Sequence, residues 1–177
     1  MGLTRPAEAA PRLSLFGVAD TATFSNQISV NSGSSGIGGG IGVEFPVSSS
    51  SGLELGLNWI QRRNDFTSRW IQLPLLYRFW IGRYVSVGAG GYYARGVGSI
   101  TQSNGTSADF QTVGLGKGDA GLTGLIGGNI PFSKYSLLIE GRYNVGAYDV
   151  STVQGVTATY SDIQLLFGVR FGGASKP

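Results

Sequence analysis

One stretch near the end of the chain, residues 161–171, decides the fold, and its sequence is SDIQLLFGVRF. Every second residue from Ile163 to Phe171 is large and apolar, whereas the residues between them are polar or small, with Leu166 as the exception. A period of two over about ten residues predicts a β-strand with one apolar and one polar face.

Seven earlier segments repeat this alternation. The eight predicted strands are residues 12–24, 36–45, 53–59, 70–79, 84–95, 118–130, 135–148 and 161–171. The connections alternate between long and short: 25–35, 46–51, 61–68, 80–83, 97–117, 131–134 and 149–159. An even number of strands with short turns at one end and long loops at the other is typical of up-and-down membrane barrels. We therefore expect an all-β, eight-stranded antiparallel barrel in which the last strand pairs with the first.

Two local expectations follow from residue types. Pro74 lies inside a predicted strand and removes one donor from the ladder, which predicts a bulge or bend there. The segment 61–68 contains Arg62, Arg63 and Asp65, and its charge predicts a loop on the long-loop side.

The composition limits the class of protein. The chain has 177 residues, enough for one domain, with 30 glycines and only 13% charged residues. It contains no run of 18 apolar residues, which excludes a transmembrane helix. The net charge of +3 is small and its bases are scattered, so nucleic acid is not an expected partner.

Glycine indicates which strand face points inward. In residues 36–42, glycine occupies every second position, and Ile37 and Ile41 lie on the other face. Eight strands enclose a space just wide enough for side chains, so the face with small residues fits inside. The bulky apolar faces then point outward, where lipid is the natural solvent. A soluble, lipocalin-like barrel with an apolar ligand cavity is the less favoured alternative.

The inward faces carry a nearly balanced set of charges. The predicted interior polar network comprises Glu44, Glu54, Arg78, Asp119, Glu140, Arg142, Asp162 and Arg170. In one interpretation the three bases pair with the five acids and plug the barrel. In the other, the same side chains line a narrow path for ions, and the narrow lumen favours the plug.

Aromatic residues gather near both ends of the predicted strands. The short-turn end has Phe45, Phe79, Trp80, Tyr84, Phe132, Tyr135 and Phe171, and the long-loop end has Trp59, Trp70, Tyr93, Tyr143 and Tyr148. Two aromatic girdles at the membrane interfaces are typical of transmembrane barrels, so we expect these rings to face outward.

These patterns resemble a known family. Residues 71–79 (IQLPLLYRF) followed by 85–90 (VSVGAG) are similar to a motif of the outer membrane protein beta-barrel domain group that contains PorT-like proteins. Residues 12–171 as a whole resemble the small eight-stranded outer-membrane β-barrels, such as the OmpA transmembrane domain and OmpX. A last strand that ends on Phe171 resembles the C-terminal signal of bacterial outer-membrane barrels.

The resemblance implies a location and a route of assembly. It implies the outer membrane of a Gram-negative bacterium, surrounding lipid, and insertion by the barrel-assembly machinery, with Phe167, Val169 and Phe171 as the assembly signal. It implies no shared chemistry. One departure is that residues 172–177 follow Phe171, whereas the signal phenylalanine is usually terminal.

The expected organisation has three parts. Residues 1–11 form a disordered lead-in, 12–171 the transmembrane barrel, and 172–177 a flexible tail that could lead to another domain. Residues 1–10 lack the apolar core of a secretory signal, so an exported protein would be in its mature form here.

The residue inventory argues against catalysis. The sequence has no histidine and no cysteine, so neither a Ser-His arrangement nor a typical zinc site can be assembled, and no cofactor is expected. We expect a non-enzymatic barrel that acts as a structural or interaction module through its outer loops, chiefly 97–117, or as a subunit of a membrane assembly. The alternative is a narrow pore or oligomeric channel for ions or small solutes.

Small residues on predicted strands five and six suggest a further contact. Ala89, Gly91, Ala120 and Gly124 form a smooth patch on the outward face. Small residues allow close approach within a membrane, so the patch predicts a homo-oligomer contact, and a seam without a partner is the alternative.

Overall fold

The computed structural model describes residues 10–26, 32–63, 66–102, 105–110, 112, 116–132, 134–148 and 158–172. Residues 1–9 and 173–177, which make up most of the predicted lead-in and tail, lie outside the described residues. In the described part, no helix is long and apolar enough to cross a membrane.

The described residues form a closed barrel of eight long strands. The strands are β1 (Arg12–Asn26), β2 (Ser32–Pro46), β3 (Ser51–Arg63), β4 (Phe66–Ile81), β5 (Val85–Gln102), the two-residue β6 (Ser107–Ala108), β7 (Gly118–Phe132), β8 (Tyr135–Gly146) and β9 (Ala158–Phe171). All except β6 form the wall, in the order β1-β2-β3-β4-β5-β7-β8-β9 with antiparallel neighbours. β9 pairs with β1 from Leu13↔Phe171 to Asn26↔Ala158, which confirms the predicted closure.

The two ends of the barrel differ as predicted. At one end, which we call the turn end, short connections follow β2, β4 and β7. There the Val47 amide donates to the Ser51 carbonyl over 2.8 Å, and Gly82 takes a φ of 66° that favours glycine. The other end, which we call the loop end, carries the longest connections, except that only residues 64–65 separate β3 from β4 there.

The strands reach further toward the loop end than the sequence predicts. The predicted loop 61–68 is wrong, because β3 continues to Arg63 and β4 starts at Phe66, with only residues 64–65 outside the described part. Likewise the predicted loop 97–117 contains the end of β5, and β6 folds back to pair Ala108 with Ile100. Polar residues did not end these strands because a polar side chain can occupy the inward face of a polar-lined barrel.

The bulge expected at Pro74 is also wrong. The pairs Leu55↔Leu75 and Asn58↔Gln72 on either side of Pro74 keep a single register. A glycine accommodates the proline ring, since a Cβ at Gly56 would lie 2.7 Å from the Pro74 Cγ. The register shift of this sheet lies instead between Thr67 and Arg69 in the pairing of β4 with β5, near Gly98, which has a φ of 73°.

An apolar belt surrounds the barrel. Leu55, Leu75 and Leu165 on three different strands expose 51%, 47% and 48% of their surface. Charged side chains such as Glu54 and Arg78 lie on the opposite faces and are buried. A closed barrel with its polar groups inside and a continuous apolar exterior is stable in lipid, because every strand finds a hydrogen-bonded neighbour and the belt needs no water.

The belt predicts a position-dependent cost for an outward charge. Leu75→Arg places a cation midway along the belt and should lower the free energy of unfolding in phospholipid vesicles by about 2–4 kcal/mol. Thr23→Arg, outward and exposed near the loop end of β1, is the matched control and should cost about 0–1 kcal/mol. Equal costs in urea titrations of the two variants would contradict a lipid-facing belt.

Candidate functional site

The lumen near the turn end holds a cluster of six buried charges. This arginine–carboxylate cluster comprises Glu44, Glu54, Arg78, Glu140, Arg142 and Arg170. Glu54 is shared by all three arginines: its Oε2 accepts from Arg78 Nη2 at 2.6 Å, its Oε1 accepts from Arg142 Nη2 at 2.7 Å, and Arg170 Nη2 lies 3.4 Å from Oε2. One carboxylate therefore links β3 to three other strands.

Arg78 is surrounded by carboxylates from three directions. Besides Glu54, its Nη1 lies 2.7 Å from Glu140 Oε2 and its Nε lies 3.7 Å from Glu44 Oε2. Ser86 Oγ accepts a further hydrogen bond from Nη1 at 2.8 Å. The three acids and three bases of the cluster balance in formal charge, the condition under which buried ions are tolerated. The partly exposed Arg12 adds a contact to Glu44 Oε1 at 3.3 Å from the edge of the cluster.

Glycines create the space that this cluster occupies. A Cβ at Gly52 would lie 2.6 Å from Glu44 Oε1, and one at Gly127 would lie 3.0 Å from Glu140 Oε2. Any larger residue at either position would displace a carboxylate from its arginines. The glycines on the inward face thus leave the space in which the charged side chains pair.

Trp80 belongs to the interior and not to an aromatic girdle, so its assignment from the sequence is wrong. Its ring is 7% exposed, and its Nε1 donates to Glu44 Oε1 at 2.8 Å. The guanidinium carbons of Arg12 and Arg170 each lie 5.1 Å from the ring centre. Cation–π contact and the indole hydrogen bond hold this aromatic residue among charges.

Amides form a layer halfway along the lumen. Gln72 Oε1 on β4 accepts from Asn58 Nδ2 at 3.1 Å and from Gln164 Nε2 on β9 at 3.0 Å. Since β4 and β9 are four places apart in the ring of eight strands, this bond crosses the barrel. The sequence prediction considered charged residues only and therefore missed this layer.

A second ionic group lies toward the loop end. Arg62 Nε donates to Asp20 Oδ2 at 2.7 Å, and its Nη2 donates to Asp162 Oδ2 at 2.8 Å. Asn144 Nδ2 donates to the other Asp162 oxygen at 2.5 Å. The predicted network omitted Arg62 and Asp20. Both have the parity of inward residues: Arg62, for example, continues the inward series of Glu54 and Asn58. The charge of segment 61–68 nevertheless predicts a loop at Arg62.

An aromatic cap closes the loop end. Its buried residues are Trp70, Tyr92, Ala94, Ile100, Phe110 and Tyr160. Trp70 makes edge contacts with Phe110 and Tyr160, with ring centres 5.5 and 5.6 Å apart, and it is 2% exposed. Its predicted place in the outer girdle is therefore wrong, because its even position in β4 points inward. Tyr92 Oη donates to Asp119 Oδ2 at 2.9 Å and joins the cap to the polar interior.

Phe110 brings the long connection into this cap. The residue is fully buried, and a Cβ at Gly96 would lie 2.5 Å from its ring. Asp109 beside it forms an ion pair with Lys117 at 2.9 Å and accepts from the Phe110 amide at 2.7 Å. These two hydrogen bonds lower the pKa of the exposed Asp109 carboxyl below its usual value. Asp109, Phe110 and Lys117 are thus held together at the barrel mouth.

All eight predicted network residues lie in the lumen, divided between the two ends. Glu44, Glu54, Arg78, Glu140, Arg142 and Arg170 form the arginine–carboxylate cluster, whereas Asp119 and Asp162 lie near the cap. The remaining predicted girdle residues point outward and are exposed: Phe45, Trp59, Phe79, Tyr84, Tyr93, Phe132, Tyr135, Tyr143, Tyr148 and Phe171.

The acidic residues of the lumen are engaged in charge pairs and hydrogen bonds. Among the described residues, no group of three or more histidine, cysteine or acidic residues has the arrangement of a metal site. Glu44 and Glu54 are directly paired across β2 and β3, but each also contacts arginine. Both carboxylates are therefore engaged by cations in the structure.

The cluster predicts a large effect of removing one arginine. Arg142→Met leaves Glu54 and Glu140 with one cation fewer and should destabilise the barrel by about 3–5 kcal/mol. Arg83→Met, in a turn and exposed, is the control and should change stability by less than about 0.5 kcal/mol. Heat-modified migration on gels and urea unfolding measure both. Unchanged stability of Arg142→Met would mean that the cluster does not hold the barrel together.

Comparison with known proteins finds solved structures of similar architecture. No protein-family model and no curated protein sequence matches the chain. Among solved structures, it is similar to Neisserial surface protein A (17% identity, TM-score 0.56, covering 91% of this chain and 97% of that one). It is also similar to OprG of Pseudomonas aeruginosa (12%, 0.56, 95% and 98%) and to the attachment invasion locus protein Ail of Yersinia pestis (12%, 0.54, 90% and 98%). The fold is that of the small outer-membrane β-barrels, and the apolar belt around it is the exterior that such a barrel presents to lipid.

Proposed function

We propose that the protein is a non-enzymatic, non-conducting outer-membrane barrel that acts as a structural or interaction module through its loop end. The observation that carries this proposal is the filling of the lumen at successive levels. The arginine–carboxylate cluster, the amide layer, the Arg62 group and the aromatic cap follow one another from the turn end to the loop end.

Contacts across the barrel make the interior a plug. Glu54 on β3 bonds to Arg142 on β8, and Gln72 on β4 bonds to Gln164 on β9, in both cases between walls four strands apart. An ion crossing the barrel would have to separate these pairs and leave buried charges without partners, which is costly. A narrow pore is therefore the weaker hypothesis.

The loop end is the side that we expect to meet a partner. Short turns of such barrels face the periplasm and long loops face outward, so the loop end is the external one. There β5 extends beyond the wall, pairs with β6, and is held by Phe110 in the cap. An anchored connection offers a partner a preorganised surface, because little ordering is needed on binding.

Assembly and association remain proposals. Phe167 and Phe171 are exposed on the outward face of β9, as a segment presented to the barrel-assembly machinery would be. Val169 alternates with them and is less exposed. The small-residue patch of Ala89, Gly91, Ala120 and Gly124 lies where β5 pairs with β7, and its use as a homo-oligomer contact stays a prediction.

Conductance in planar bilayers tests the plug. We expect no current steps from the wild-type protein, and none from Phe110→Ala, because the arginine–carboxylate cluster still fills the lumen after the cap is weakened. Steps in the wild type that disappear or change when Arg78 or Glu140 is replaced would instead identify a pore. Gel migration of the heated and unheated protein confirms that each variant is folded.

Limited proteolysis tests the anchored connection. Phe110→Ala removes the buried ring and should speed trypsin cleavage after Lys117 at least tenfold, because large-to-small core changes of this kind cost about 3–5 kcal/mol. Thr112→Ala, at an exposed position nearby, is the control and should leave the rate unchanged. Equal rates for the wild type and Phe110→Ala would show that the ring does not fix this segment.

A further inference from the structure

Three arginines on the outer wall take no part in the interior network. Arg63 and Arg69 lie near the loop ends of β3 and β4, Arg95 lies seven residues before the end of β5, and all three are exposed. They have the outward parity of Trp59 on β3 and Tyr93 on β5, which are themselves about half exposed. Their side chains therefore project from the outside of the barrel.

The strand register places the three arginines on one diagonal. Arg63 pairs with Thr67, two residues before Arg69 on β4. Arg69 pairs with Val97, two residues after Arg95 on β5. Diagonal neighbours of this kind are roughly 7–8 Å apart, within reach of long side chains. We call this row the arginine diagonal.

The positive charge of the diagonal is not balanced by the part of the chain that the structure describes. Among the described residues, no ion pair joins Arg63, Arg69 or Arg95 to a carboxylate. Turned appropriately, the Gln61 amide oxygen accepts from Arg63 at 3.1 Å, but it brings no charge. Like charges on neighbouring strands repel, so an external anion between these arginines would stabilise the arrangement.

The acidic residues of the described chain are used elsewhere. Six of the seven point into the lumen and are buried: Asp20, Glu44, Glu54, Asp119, Glu140 and Asp162. The seventh, Asp109, pairs with Lys117. The described outer wall around the diagonal is therefore electropositive.

The diagonal lies at the edge of the apolar belt. Arg95 pairs with Ile71, which pairs on its other side with Trp59, so the lowest arginine is level with the outer aromatic girdle. This is the height at which lipid headgroups surround a membrane barrel. From this height, charge and register we infer that the arginine diagonal binds the phosphate groups of outer-leaflet glycolipid. The inference rests on the proposed orientation, with the loop end outward.

Guanidinium groups suit this ligand. Each presents a planar fork of donors that matches phosphate oxygens, often two bonds at a time. Adjacent forks at the spacing of the diagonal reach one phosphate together or two phosphates of one headgroup. A zwitterionic headgroup carries its own cation and gains less from such a row.

Binding of lipid A to the detergent-solubilised full chain tests the inference. The probes are diphosphorylated lipid A and chemically dephosphorylated lipid A, titrated in mixed micelles. Arg69→Gln/Arg95→Gln should bind the phosphorylated lipid about 25-fold more weakly, since each basic residue near an anionic surface contributes about fivefold. Arg83→Gln/Lys134→Gln removes the same charge from exposed positions at the turn end and should bind like the wild type.

Three outcomes would overturn the inference. They are equal losses in the two double variants, wild-type binding that does not depend on the lipid phosphates, and displacement of the lipid by millimolar inorganic phosphate, which would indicate a site for soluble anions. Comparing the binding of the two lipids to the wild-type protein needs no variant. It therefore tests whether the lipid phosphates are recognised even if a double variant fails to fold. Conductance is independent of these arginines, so failure here leaves the plug proposal intact, and the converse also holds.

Discussion

Glu54 carries the interaction on which the interior depends. A single buried carboxylate accepts from Arg78 and Arg142 and lies close to Arg170, so it joins β3 to β4, β8 and β9. In a lumen without bulk water, an unpaired ion would cost several kcal/mol, and three arginines and three acids must therefore be present together. Removing one member of the cluster would leave a buried partner without its counter-charge. Through Glu54, the cluster joins opposite walls of the barrel.

This requirement explains features that look unrelated in the sequence. Glycine lines the inward face wherever an ionic side chain needs room, as Gly52 does for Glu44 and Gly127 for Glu140. Trp80 is directed inward because an arginine-rich lumen can bind its ring face and a carboxylate can accept from its indole nitrogen. Even Pro74 fits the ladder without a bulge because Gly56 leaves space for its ring.

The sequence predicted the architecture because a period of two determines which face each residue joins. Parity places the eight charged residues on one face, the glycines on that face indicate that it points inward, and strand count and loop lengths predict the closure of β9 on β1. The errors arose where other signals overruled parity. The charge of Arg62 predicts a loop and the aromatic ring of Trp70 predicts a girdle position, although both residues occupy inward positions. The pairs themselves, such as Arg142 with Glu54, depend on the stagger of strands across the lumen, which no local pattern encodes.

The same parity separates the charges of the protein by sign. Acids of the described wall strands point into the lumen. Tyr92 donates to Asp119, and five arginines pair with the other five acids: Arg12, Arg62, Arg78, Arg142 and Arg170. Among the described residues, no acid pairs with the outward arginines Arg63, Arg69 and Arg95. Because the lumen holds six of the seven described acids, the described exterior is basic, and the apolar belt restricts its charges to the rims. The polar plug and the electropositive loop-end rim are therefore two consequences of one distribution of charge.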